Sequence, residues 1–195
     1  MQLNPQLKEL LLQALEHERG GELVYDTAIS CAINEDLEEK WEDYLEQTER
    51  HVEILTEVCE ALDIDPDEMT PGRRIVQHNG DAMVMAMKMA ADGGDRAAAQ
   101  LVACDCVMLA ETRDHFNWEL IGECARALAG VERAVLMKAY EQVQYDEEEH
   151  LYHSQDWCRE LWLDSLGLEA VLPPRLETYG GGAPDDGEGA DERNA

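Results

Sequence analysis

Apolar residues recur every three or four positions along most of the chain, a spacing that is typical of amphipathic helices. Clusters of Pro, Gly, Asp and Asn separate the periodic segments and mark turns and helix ends. Short connections make consecutive long helices antiparallel neighbours. We therefore predict an all-α fold, a four-helix bundle with an additional crossover helix between the second and third long helices. The first predicted helix covers residues 5–32, and the second follows the short connection at residues 34–36 and ends at about residue 63. The crossover helix covers residues 71 to about 91, and the last two helices cover about 96–129 and about 131–165.

The chain has 195 residues, which is enough for one domain with a sizeable core. We predict that residues 1–172 form this helical bundle. From residue 173 onward the sequence is rich in Pro, Gly and Asp and poor in apolar residues. That composition favours disorder, so residues 173–195 are predicted to form a disordered acidic tail.

The chain is strongly acidic, with 44 Asp and Glu against 15 Lys and Arg and a formal net charge of -29. Such a charge repels nucleic acids and anionic membrane surfaces, and no apolar stretch is long enough to span a bilayer. Salt tolerance and ordinary solubility both explain an acidic surface. The N-terminal segment lacks a basic start followed by a long apolar run, so no signal peptide is predicted. The six cysteines include no Cys-x-x-Cys pair and resemble buried thiols of a reducing compartment. These features predict a cytoplasmic protein.

Side chains that can bind metals interrupt the apolar stripes of all four long helices. Their distances from the connecting turns place them at similar heights near the middle of the bundle. Burying unpaired charges is costly, and carboxylates together with imidazoles suit iron, manganese or zinc. We therefore predict a metal centre, in which two divalent cations would balance four ionised acids. The candidate ligands are Glu18 on the first helix, His51 on the second, Glu111, Asp114 and His115 on the third, and Glu147 and His150 on the fourth.

Three short motifs resemble those of the ferritin-like superfamily, in particular rubrerythrins and bacterioferritins. The segment from Glu18 to Tyr25 places a tyrosine seven residues after a candidate ligand, and it is similar to the first helix of rubrerythrin. The segment that ends at His51 is similar to the second-helix motif. Glu147 and His150 form the Glu-x-x-His motif of the fourth helix. The resemblance covers roughly residues 5–165 in architecture and is specific only in these motifs.

The resemblance implies a centre of two metal ions, usually iron, that reacts with oxygen or peroxide. Manganese or a single ion is also compatible with the ligands. Tyr25, close to the first-helix acid, would hydrogen-bond a bound oxygen species. The four-cysteine module of full rubrerythrins is absent, so an electron donor would be a separate protein, and the chain could form a homodimer. Carried over by position, the implied ligands are Glu18, His51, Glu147, His150 and either Glu111 or Asp114.

One position departs from the family pattern. Thr48 stands where the family has a glutamate on the second helix, and threonine is a poor ligand for these ions. The third helix could compensate, the site could hold one metal, or the site could be lost and leave a buried polar network. The unusual number of candidate ligands on the third helix favours compensation.

Three classes of function follow from this sequence. The first is a di-metal oxidoreductase that acts on oxygen or peroxide. The second is a metal-binding or stress protein without turnover. The third is a metal-free helical interaction module whose buried acids and histidines pair with one another and respond to pH.

Overall fold

The computed structural model describes residues 3–174, which form five α-helices and no strand. The all-α prediction is confirmed for these residues. The predicted tail lies outside the described residues except for Pro173 and Pro174. None of the described helices combines the length and the apolar character needed to cross a membrane. The helices are α1 (Pro5–Cys31), α2 (Glu35–Ala61), α3 (Pro71–Asp92), α4 (Arg96–Ala127) and α5 (Gly130–Ser165).

Local chemistry explains where the helices begin and end. Four helices start after a side-chain cap: the side chains of Asn4, Asn34, Thr70 and Asp95 accept hydrogen bonds from backbone N–H groups of the first turn. Helix α2 ends slightly before its predicted boundary, and the chain then turns through Asp63, whose φ of 58° is left-handed. Helix α4 also ends slightly early, because the chain becomes extended at its C-terminal cap.

The four long helices form a ring in which α1 contacts α2 and α4, and α5 contacts the same two helices. Helices α1 and α4 are antiparallel, because the Gln100 side chain near the start of α4 accepts hydrogen bonds from the backbone just beyond the end of α1. Helices α2 and α5 are also antiparallel. Tyr44 near the start of α2 contacts His153 late in α5, whereas His51 contacts the earlier Asp146.

Helix α3 packs outside this ring against α1 and α4. Its first turn is joined to α1 by the buried ion pair of Arg73 with Glu16, at 2.6 Å. Farther along, Gly80 faces Gly20 so closely that a Cβ atom on Gly80 would lie 3.6 Å from the Gly20 Cα atom. Helix α3 therefore runs parallel to α1 and returns the chain along the length of the ring.

Two apolar clusters fill the interior of the ring, one toward each end. One cluster joins Leu11 of α1 to Leu55, Ile121 and Leu136 on the other long helices. The other cluster contains residues from the later part of α1, the early part of α2 and α4, and the last turns of α5. The stretch of each long helix between these clusters carries the predicted metal ligands. A polar layer therefore lies between two apolar layers in the middle of the ring.

Candidate metal centre

The polar layer contains acids and histidines from all four long helices. Each is at most 5 % exposed, so water reaches none of them freely. The amphipathic pattern explains this placement, because each residue occupies the core-facing stripe of its helix. The buried residues are Glu18 on α1, His51 on α2, Glu111 and Asp114 on α4, and Glu147 and His150 on α5.

Three of these side chains, Glu18, His51 and Glu147, form a compact group that we call the triad. The His51 Nδ1 atom lies 3.5 Å from Glu18 Oε1 and 3.1 Å from Glu147 Oε1. One potential ligand atom from each residue lies within 4.8 Å of the other two, close enough for all three to bind one ion. The triad therefore brings two carboxylates and one imidazole to a single point.

A second acid–imidazole pair lies across the layer. The His150 Nδ1 atom is 3.5 Å from Glu111 Oε2, while its Nε2 atom hydrogen-bonds the Gln47 side-chain oxygen. The Tyr25 hydroxyl donates a 2.7 Å hydrogen bond to Glu111 Oε1. Tyr25, predicted to contact a bound oxygen species, therefore has its hydroxyl hydrogen on a carboxylate of the site.

Residues around the triad hold it in a similar way. The Trp118 indole N–H donates a 2.7 Å hydrogen bond to Glu18 Oε1. The His51 Nε2 atom lies 3.4 Å from Asp146 Oδ2, and that carboxylate also pairs with Arg50 at 3.5 Å. Such outer contacts fix the orientation of a histidine and leave its other nitrogen free for a metal.

The apolar stripes do not indicate a role for Gln47, Asp146 or Trp118. The spacing nevertheless carries a signal for the first two residues. Gln47 precedes His51 by four residues, and Asp146 precedes His150 by four residues. The signal in the sequence is therefore a polar residue one helical turn before His51 and another before His150.

The protonation equilibria show how strongly these charges interact. Burial disfavours a charge on His51, but the negative Glu18 and the contact with Asp146 outweigh it and raise its pKa to about 12. Burial raises the pKa of Glu147 to about 7. The contact with His51 opposes this shift, and the negative charges of the nearby acids add to it. The protonated His51 imidazole is therefore the positive charge that faces these acids.

The other pair and the remaining acid follow the same physics. Burial would raise the pKa of Glu111, but contacts with His150 and Tyr25 lower it. Burial also opposes a charge on His150, and the contact with Glu111 outweighs this and raises the pKa of the imidazole. For Asp114 the balance is reversed. Burial, and then the negative charges of the neighbouring acids, outweigh the positive charge of His51 and raise the pKa of Asp114 well above its usual value.

Many polar atoms of the layer have no hydrogen-bond partner. Although His51 Nδ1 and Glu147 Oε1 are close, their contact lacks hydrogen-bond geometry. Buried polar atoms are normally paired, so a group of unpaired atoms at one place requires an explanation. A metal ion fits this set, because most of these atoms are carboxylate oxygens. The unpaired atoms are Glu18 Oε2, His51 Nδ1, Glu111 Oε2, Asp114 Oδ1 and both carboxylate oxygens of Glu147.

One predicted ligand lies apart from this group. His115 is half-buried, and its Nε2 atom lies 3.6 Å from the exposed Glu119 carboxylate on the same helix. The preceding residue, Asp114, is the one that α4 turns into the layer. Asp114 and His115 are consecutive residues, so their side chains point in different directions around the helix and cannot both face the centre.

Comparisons of the chain with protein-family models, with curated proteins and with solved structures found no match. The resemblance to the ferritin-like superfamily therefore depends on the sequence motifs alone.

Proposed function

We propose that this chain is a ferritin-like protein that binds iron or manganese between Glu18, His51 and Glu147 and that reacts with oxygen or peroxide. The observation that carries the proposal is the group of buried carboxylate and imidazole atoms without hydrogen-bond partners. A bound cation would satisfy these atoms and balance their charge.

A metal-free polar network accounts less well for the same residues. Such a network is stable when each donor faces an acceptor, and a partly satisfied network is costly. Both oxygens of Glu147 and one oxygen of Glu111 lack hydrogen bonds. Within residues 3–174, the ion pairs of the buried layer acids are formed with histidines rather than with Lys or Arg.

The kind of ligand favours iron or manganese. Carboxylate oxygens and imidazole nitrogens suit these ions, whereas Cu(I) and structural zinc sites generally use thiolates. All six cysteines are free thiols, and the triad contains none of them. Three protein ligands also leave coordination positions open for a small molecule.

An iron ion in this position would supply Lewis-acid and one-electron chemistry toward a small oxidant. The protein's own contribution is to position the ligands and to exclude water. The indole of Trp118 orients Glu18, and Asp146 orients His51. The apolar layers on both sides limit access of bulk water to the centre.

Metal content tests the binding part of the proposal. We expect full-length protein purified without chelators to contain iron or manganese, and Glu147→Gln to lose most of it, because the amide cannot supply the negative charge. Glu148→Gln is a matched control, since Glu148 is the adjacent residue and is exposed. Equal metal content in the wild type and Glu147→Gln, measured by elemental analysis, would refute the assigned site.

Peroxide consumption tests the redox part. We expect the iron-loaded wild type to consume peroxide in the presence of a reductant, and Glu147→Gln to be inactive. If iron-loaded protein shows no turnover with any reductant while its metal content depends on Glu147, the chain is a metal-binding protein without this activity.

A further inference from the structure

The two helical hairpins of the ring place corresponding residues in the polar layer. Glu18 on α1 accepts a hydrogen bond from Trp118, which lies seven residues after Glu111. Glu111 on α4 accepts a hydrogen bond from Tyr25, which lies seven residues after Glu18. Both bonds are 2.7 Å long. The first hairpin (α1 and α2) and the second hairpin (α4 and α5) therefore exchange equivalent contacts.

The two histidines of the layer, His51 and His150, also occupy corresponding positions in the two hairpins. His51 of the first hairpin directs Nδ1 toward the acids and Nε2 toward Asp146, which precedes His150 by four residues. His150 of the second hairpin directs Nδ1 toward an acid and Nε2 toward Gln47, which precedes His51 by four residues. The two halves of the layer are therefore related by an approximate twofold exchange of the hairpins.

Applying this exchange to the triad shows what the other half lacks. The counterparts of Glu18 and His51 are Glu111 and His150. Glu147 precedes His150 by three residues, so its counterpart is the residue three before His51, which is Thr48. The second half thus has one acid and one imidazole, and its third ligand position is occupied by a threonine.

The additional acid on α4 does not supply the third ligand that the second half lacks. Asp114 lies three residues after Glu111, so its counterpart is Gly21. A Cβ atom on Gly21 would lie 3.2 Å from Thr48 Cγ2. Because Gly21 lies beside Thr48, the twofold exchange places their counterparts, Asp114 and Glu147, beside each other. Asp114 therefore lies on the side of the complete triad.

We propose that the layer binds one divalent cation tightly in the triad, and that Thr48 leaves the Glu111–His150 half too poor in carboxylates to retain a second ion. This inference rests on the proposed function and concerns the number of ions. It also identifies Thr48 as the residue that sets this number.

The test counts ions in the wild type and in Thr48→Glu. Chelator-treated full-length protein is dialysed to equilibrium against Mn²⁺, and bound manganese is measured by elemental analysis. Paramagnetic resonance then distinguishes an isolated Mn²⁺ ion from two neighbouring, exchange-coupled ions. We expect one isolated ion in the wild type and a coupled pair in Thr48→Glu. Thr48→Gln is the matched control: its side chain has the same length without the charge, and it should retain one ion.

Each outcome bears on a different claim. A wild type that binds two ions with equal affinity overturns this inference and leaves the proposed metal site standing. A folded Thr48→Glu variant that still binds one ion also overturns it. A wild type that binds neither manganese nor iron refutes the proposed function itself. If Thr48→Glu does not fold, the wild-type titration and spectrum alone decide between one ion and two.

Discussion

The hydroxyl group of Tyr25 should contribute a measurable part of the stability of the metal-free protein. Tyr25 is 1 % exposed and donates a 2.7 Å hydrogen bond to Glu111 Oε1. The second oxygen of Glu111 already lacks a hydrogen bond. The Tyr25→Phe substitution removes only the hydroxyl group, so the carboxylate loses this hydrogen-bond donor while the packing of the ring stays in place.

The expected cost follows from the charge of the acceptor. A hydrogen bond to a charged group typically contributes about 1.5–3 kcal/mol to the free energy of unfolding. For a chain of this size, that loss corresponds to a decrease in Tm of roughly 3–12 °C. The pKa of Glu111 should rise at the same time, because the Tyr25 contact is one of the interactions that lower it against burial.

Chemical denaturation of the chelator-treated protein measures this cost. We expect the urea midpoint of Tyr25→Phe to fall while the m-value stays constant, since the exposed surface of the unfolded chain hardly changes. Tyr145→Phe is the control, because Tyr145 is 66 % exposed and should change stability by less than about 0.5 kcal/mol. If Tyr25→Phe is as stable as this control, the carboxylate does not depend on the hydroxyl, and the described hydrogen bond is not energetically significant.

Two further predictions concern stability outside the ligands. Burial lowers the pKa of His153 to about 4, so the folded state resists protonation and stability should decrease as the pH falls from about 6.5 toward 4. His153→Gln should lose less stability than the wild type between about pH 7 and pH 5, and an identical loss in urea titrations would contradict this assignment. Arg73→Met should cost about 3–5 kcal/mol, because Glu16 would stay buried without its partner at 2.6 Å. An unchanged urea midpoint would exclude a stabilising role for that pair.

The helices could be predicted because their signals are local. The apolar spacing within a helix and the signals at its ends act over only a few residues. Asn34 and Asp95 cap the starts of α2 and α4, and Pro71 is the first residue of α3. The meeting of Glu18 with Glu147 could also be expected, because each occupies a core-facing stripe at a similar distance from a turn.

The contacts between helices could not be predicted in the same way. Whether Asp114 or His115 faces the layer depends on a rotation of α4 by one residue, and both residues fit the stripe on the sequence alone. The hydrogen bond of Trp118 with Glu18 depends on the relative height of two helices that are far apart in the chain. Apolar spacing assigns tryptophan to a core and says nothing about which acid its N–H reaches.

The balance of charge in the layer explains why such a costly arrangement can persist in a folded chain. Apolar layers above and below hold the backbone of all four helices, so Glu18 and Glu147 cannot move apart to reach water. In the metal-free state, the protonated His51 lies between them and offsets part of their repulsion. A divalent cation would replace that proton with a larger charge at the same place, so binding and proton release are coupled. The energy lost by burying the acids would therefore become affinity for the cation. Because the acids are concentrated in one half of the layer, the proposed binding would be strongest at one position.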